Sequence, residues 1–414
     1  MNLAEFDLSD RSLFRAGFPH ALFAQLRREA PVWRHPDTPG VRESVGEAGF
    51  WVVSAMDLVR RVARDEEVFS AVEGPALRRF GPSWQGITLV SADGRAHRRL
   101  RGLINRGFTP RMIARLEEQI RARARAIVAG VLERGECEFV HDVAYPLPMH
   151  MIADIVGIPE SDRAYVFERV DGYMIAGDPE VPITPEQKQE MEREIFAYGV
   201  DLAARKRANP GDDVWSILTQ AELTDEEGGG ASHLSDHELA LFFHVLALAG
   251  SETTRNSIAG GLLALLEHPS QLERFRREPE VRDRAAHEII RWTSPLSCWS
   301  RTATRDVELG GEKIAAGDRV SIWLASANRD EAAFAAPDRF DIARDPNPHV
   351  GFGGGGAHYC LGSHLAQRQV RVLLEELLAS ARAIEPTGSQ RWTVSGLHNN
   401  VPCSLADVRL RVAA

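Results

Sequence analysis

The chain has 414 residues, 44% of them apolar, which is enough for a large core and reads as one domain over 1–414. A net charge of −10 argues against nucleic acid as a partner of the whole chain. Glu5, Asp7 and Asp10 break up any N-terminal apolar run, so neither a secretory signal nor a membrane anchor is expected. The four cysteines (Cys137, Cys298, Cys360, Cys403) are far apart and make no metal-spaced pair, as expected of a cytoplasmic protein.

In chain order, Phe18 to Ala30 predicts a short helix, Phe50 to Val53 a strand and Asp57 to Asp65 a helix. Thr109-Pro110, a cap followed by a first-turn proline, opens a helix running to Gly135. Pro185 to Arg207 reads as a further helix with charged faces, and Leu223 to Ser235 as a surface connection. Ser235 and Glu238 have the spacing of a capping box, at the start of a helix through His268 that Pro269 stops. Such a helix spans roughly 50 Å. Val281 to Thr293 is helical; Val307 to Ile314 and Arg319 to Leu324 read as strands, with a hairpin turn at Gly310-Gly311. Ser363 to Ala383 forms a last helix. The fold class is mainly α with small β-sheets.

Three constellations carry chemistry. The long helix holds Ala249-Gly250-Ser251-Glu252-Thr253-Thr254 near its centre. Glycine there costs about 1 kcal/mol relative to alanine, and the Thr253 hydroxyl can bond the carbonyl of Ala249 and bend the helix. Phe242, Leu246, Ala249 and Thr253 share one face by helical spacing, with the Glu252 carboxylate beside them as a plausible proton relay. A tight helix crossing would use the same small residues. Next, Glu288 and Arg291 are three apart on a helix; they are a surface pair worth under about 1 kcal/mol unless Arg339 joins them in a buried network. Last, Cys360 lies in Gly351-Phe352-Gly353-Gly354-Gly355-Gly356-Ala357-His358-Tyr359-Cys360-Leu361-Gly362, directly before a helix. Unpaired N–H groups and the helix dipole favour a thiolate at that place, glycines bring backbone close to it, and a shielded thiolate suits a soft metal. An isolated cysteine in a glycine-rich turn would be an ordinary buried thiol; four glycines with Phe352 and His358 at fixed offsets point to a ligand. His358, His97, Arg101 and Arg301 form a basic set suited to the anionic group of a cofactor held against the sulfur.

In this order and spacing, the three motifs resemble those of the cytochrome P-450 family of haem-thiolate monooxygenases, over nearly the whole chain from about Phe18. The resemblance implies the family's helical triangular prism, with haem b as cofactor and dioxygen as co-substrate. It makes Cys360 the axial ligand of the haem iron, places Phe352, Ala249 and Gly250 against the haem, and gives the propionates to His97, Arg101, Arg301 and His358. Thr253 and Glu252 match the pair that delivers protons to dioxygen, and Glu288, Arg291 and Arg339 a structural triad. One departure stands out: the usual loop has Phe seven residues before Cys, whereas Phe352 lies eight before Cys360.

This loop and the run Glu252 to Asn256 resemble a bacterial branch that acts on steroid side chains, branched lipids and terpenes. By family alignment, however, the pocket walls carry Arg78, Arg79, Gln85, Trp299, His398, Asn399 and Asn400, polar groups that favour a substrate with several hydrogen-bonding groups, such as a natural-product intermediate. A steroid, terpene or branched-lipid hydroxylase is the alternative. Peroxide-driven oxidation or oxidative coupling is another, disfavoured by the intact Glu252-Thr253 pair. A phosphate cradle at the Gly-rich loop would lack the Lys and Ser/Thr of a P-loop. No Rossmann fingerprint or cysteine cluster occurs, so electrons are expected from a separate ferredoxin and ferredoxin reductase. The basic run Arg95, Arg98, Arg99, Arg101, Arg106, Arg111 and Arg115 would steer such an acidic partner.

Overall fold

The computed structural model describes residues 3, 6–46, 49–107, 110–176, 178, 180–221, 233–395, 397 and 400–414, with backbone alone at 106–107 and 110–115. Thr109, His398, Asn399, most of the Leu223–Ser235 connection and the side chains of Arg106, Arg111 and Arg115 lie outside the described residues.

The helix Asp236–Glu267 runs through the interior. Its capping box forms as the sequence predicts: the Glu238 N–H donates to Ser235 Oγ at 3.2 Å, and the Ser235 N–H to Glu238 Oε2 at 2.8 Å. Leu239, Phe243, Ile258, Leu262 and Leu265 are buried on different sides of it, and a helix apolar all round belongs in a core. The helices Pro146–Val156, Pro185–Ala208, Arg282–Thr293 and Ser363–Ser380 pack on it. A second capping box, Thr184 with Gln187, starts the helix Pro185–Ala208. Among the described residues, no helix is long and apolar enough to cross a membrane.

The strands serve the helices. The largest sheet has the order Val32–Arg34, Trp51–Val53, Arg319–Ile322, Trp299–Ala303, Phe69–Ser70, antiparallel except where Trp51–Val53 pairs with Arg319–Ile322. Its strand Trp299–Ala303 sends Trp299 and Arg301, two residues apart and so on one face, into the central cavity. The hairpin predicted at Gly310-Gly311 joins Val307–Leu309 to Glu312–Ile314.

Glu288 and Arg291 prove fully buried. Arg291 donates Nε and Nη2 to the two carboxylate oxygens at 2.7 and 2.8 Å, and its Nη1 reaches the carbonyls of Asn328 and Pro337, both at 2.8 Å. The second arginine on Glu288 is Arg344, at 3.1 Å, rather than Arg339. Arg339 gives only its backbone carbonyl, at 3.2 Å from Arg291 Nη2, while its side chain is 68% exposed beside Asp341. The reason is local: the Asp341 N–H also bonds Glu288, and the chain turns there so that Arg344 points inward and Arg339 outward. The network clamps the helix Arg282–Thr293 to the segment that leads into the Cys360 loop.

Candidate active site

Gly353, Gly354, Gly355 and Gly356 all have positive φ, at 100°, 73°, 100° and 77°, a run that L side chains adopt only at a cost. Gly354, Gly355 and Gly356 also pack tightly on Ala63 and Arg64 at the end of the helix Met56–Arg64. A Cβ at Gly354 would sit 2.9 Å from Ala63 Cβ, and one at Gly356 would sit 3.0 Å from the Ala63 carbonyl oxygen. Replacing Gly356 by Ala is therefore expected to cost at least about 1–2 kcal/mol, read as a lower midpoint in denaturant. Gly362→Ala, with nothing near its Cβ and an ordinary φ, is the control.

The loop absorbs its extra residue without losing closure: the Cys360 N–H donates to the Phe352 carbonyl at 3.0 Å. Cys360 then lies just before Gly362, the N-cap of the helix Ser363–Ser380, and opens onto the cavity. Burial pushes its thiol up, against the opposing effects of the Gly362 N–H and Arg101. A metal cation at the sulfur would deprotonate it outright.

The predicted basic set converges on one place. On the helix Gly94–Gly107, His97 and Arg101 are four apart and turn inward, while Arg95, Arg98 and Arg99 face solvent. His97 and His358 have ring centroids 4.3 Å apart, and Arg101 Nη1 donates to the Ala357 carbonyl at 3.0 Å. Arg301, buried on its strand, is pushed down to about 10 by desolvation. His97 is only 1% exposed, yet neither ring nitrogen has a partner. Desolvation, then the charges of His358 and Arg101, lowers it to about 4. His358 Nε2 stands 3.4 Å from Asp93, long for a hydrogen bond. Four basic groups around orphaned buried nitrogens make a site for an anion.

On the long helix, Thr253 Oγ1 donates to the Ala249 carbonyl at 2.9 Å, as the sequence predicts. Leu246, Ala249, Glu252 and Thr253 line the cavity; Phe242 does not, and stacks on Trp215 instead at 6.2 Å. Gly250 serves a helix crossing as well, because a Cβ there would collide with Ile152. Burial pushes the Glu252 carboxyl up; Arg255 opposes this from 3.9 Å, and Asp171 adds to it. Arg255, buried, also lies 3.5 Å from Asp171.

Cys360, His358, His97, Arg101, Arg301 and the helix residues Ala249, Gly250, Glu252 and Thr253 border one cavity of 710 Å³. Most of its lining is apolar, with Leu89, Val90, Leu246, Leu296 and Val401 among the residues. Of the polar residues expected there, Arg78 donates to the carbonyls of Glu43 and Ser44, and Gln85 to that of Phe80, so neither lines the cavity. Arg79 reaches it while paired with Glu73 and the Gly317 carbonyl. Trp299 and Asn400 face it. The sequence reading missed Lys188, Glu192 and His244, which line the same cavity beside Tyr173.

The sequence profile of the family described as Cytochrome P-450 matches residues 186–396. A steroid C26-monooxygenase of Rhodococcus jostii is 39% identical over 97% of this chain and 84% of its own length. A methyl-branched lipid omega-hydroxylase of Mycobacterium tuberculosis is 40% identical over 86% of this chain and 83% of its own. The Mycobacterium marinum cytochrome P-450 CYP268A2 in complex with pseudoionone superposes with a TM-score of 0.85 at 35% identity, covering 94% of each chain.

The chain belongs to the cytochrome P-450 family. It is a haem-thiolate monooxygenase, an oxidoreductase that uses haem b and dioxygen and works with redox partners on a small molecule. The cavity fits that cofactor: a sulfur opens onto it, and the orphaned His97 nitrogens lie among basic groups suited to two propionates.

Proposed function

We propose that this enzyme hydroxylates a bulky, largely apolar molecule of the steroid, terpenoid or methyl-branched-lipid kind, in the cytoplasm, with electrons from a ferredoxin and its reductase. The observation that carries this reading is the largely apolar lining of the cavity, from which Arg78 and Gln85 turn away. The names of the steroid C26-monooxygenase and the lipid omega-hydroxylase agree with it.

In this reading Cys360 would bind the haem iron through its sulfur, and His97, Arg101, Arg301 and His358, which line the same cavity, would hold the propionates. Phe352, Ala249 and Gly250 line that cavity too and would pack against the cofactor. Haem b, when bound, supplies dioxygen activation, which a thiolate ligand biases toward O–O cleavage. The chain's own residues control protons. Burial favours the neutral form of the Glu252 carboxyl, which suits it to give a proton. Thr253 Oγ1, anchored on the Ala249 carbonyl, passes it inward. The apolar walls exclude water and hold the substrate.

Incubating the reconstituted enzyme with apolar steroids and branched lipids, and separately with polar glycosylated aromatics, tests the substrate class. Tight binding and a monohydroxylated product are expected from the first group; binding by the second alone would overturn the reading. For the redox partner, Arg98→Glu, at a side chain 69% exposed, is expected to slow reduction by ferredoxin about tenfold and to flatten its salt dependence. An unchanged rate would count against this docking face.

A further inference from the structure

Lys188, Tyr173, Glu192 and His244 border the cavity at a place no sequence motif marks. His244 lies nine residues before Thr253 on the same helix, a rise of roughly 13 Å, so this end of the cavity is well separated from the hydroxyl near which oxidation takes place. Three aromatic rings enclose His244: Phe196 stacks on it at 5.0 Å, while Trp84 and Tyr173 meet it edge-on at 5.3 and 5.1 Å. The imidazole is 3% exposed, and its Nδ1 has no hydrogen-bond partner. Leaving a buried polar atom unpaired is costly. Burial lowers its affinity for a proton, to about 4, so it is a neutral ring near pH 7.

Lys188 stands 5.0 Å over the face of Tyr173 and makes no ion pair among the described residues. The other two lysines of the chain are placed differently: Lys206 pairs with Asp213 at 2.6 Å, and Lys313 is exposed on a hairpin. Glu192 is one helical turn after Lys188, and its Oε1 accepts from Tyr173 Oη at 3.4 Å. An ammonium, a carboxylate and a neutral imidazole therefore border one end of the cavity together, and the charges of the first two cancel.

We propose that this end of the cavity is a specificity subsite for a neutral oxygen, hydroxyl or carbonyl, at the end of the substrate remote from the carbon to be oxidised. The proposal deepens, and rests on, the assignment of an apolar substrate to this cavity. A hydroxyl or carbonyl oxygen accepts from Lys188 Nζ, and a hydroxyl can donate onward to the imidazole or to Glu192. A carboxylate there would bring uncompensated negative charge into a water-poor space. Anchoring one end in this way makes the cavity a ruler that sets which carbon reaches the reaction centre.

Calorimetric titration of the holoenzyme near neutral pH with phytanol, phytane and phytanate tests this, because the three share a skeleton and differ at one end. Phytanol is expected to bind about tenfold or more tightly than phytane, with phytanate weaker than phytanol. Lys188→Met and His244→Phe should each bring the phytanol-to-phytane ratio toward one, and Glu192→Gln should raise the affinity for phytanate. Equal binding of phytanol and phytane by the unaltered enzyme, a ratio that neither substitution moves, or a preference for phytanate would overturn the subsite while leaving the apolar-substrate assignment in place. Binding of none of the three would overturn that assignment and the subsite with it.

Discussion

Arg291→Met is expected to destabilise the protein by about 3–5 kcal/mol. The substitution leaves Glu288 fully buried with Arg344 as its one remaining arginine, and it strips donors from the carbonyls of Asn328 and Pro337. Removing one member of a buried ion pair costs far more than removing an exposed one, because the partner's charge is left without compensation. Arg339→Ala is the matched control: its side chain is exposed and its structural contribution is a backbone carbonyl, which alanine keeps. Denaturant unfolding of the two variants side by side should show a large loss for Arg291→Met and little for Arg339→Ala. Equal losses would mean that the network does not clamp this region.

Thr253→Ala is expected to lower product formation on the order of a hundredfold, with less effect on reductant oxidation. Alanine keeps the helix but removes the cavity-facing hydroxyl next to Glu252 in the chain, so reducing equivalents are consumed without reaching product. Glu252→Gln should act in the same direction, since an amide has no acidic proton to deliver from this buried position. Product formed per reductant consumed, with oxygen uptake followed in parallel, gives the answer. A coupling ratio unchanged in both variants would remove these residues from proton delivery and would favour the peroxide-driven alternative.

The parts of this molecule that depend on short-range chemistry could be read before any coordinates. Ser235 with Glu238, the hairpin at Gly310-Gly311 and the Thr253 bond to Ala249 each involve residues within four positions, where spacing determines contact. The four-glycine run was legible as a tight loop, but the reason for so many glycines lies in a long-range contact, the loop's packing on Ala63 and Arg64. Arg344 was missed in favour of Arg339 because both sit in irregular chain without a period, and only the turn at Asp341 decides which points inward. Phe242 obeys the helical spacing of the cavity wall, yet Trp215 from another helix covers it. The cluster around His244 is tertiary altogether, built from different helices; the scarcity of lysine, three residues in all, was its one trace in the sequence.

The sulfur of Cys360, in its glycine-walled loop, is proposed to bind the iron of a haem. The optical spectrum of purified protein, reduced under carbon monoxide, compared with that of Cys360→Ser, tests it most directly. A coloured protein with thiolate-type absorption that the serine variant loses is expected. A colourless protein, or full thiolate-type absorption in the serine variant, would contradict it.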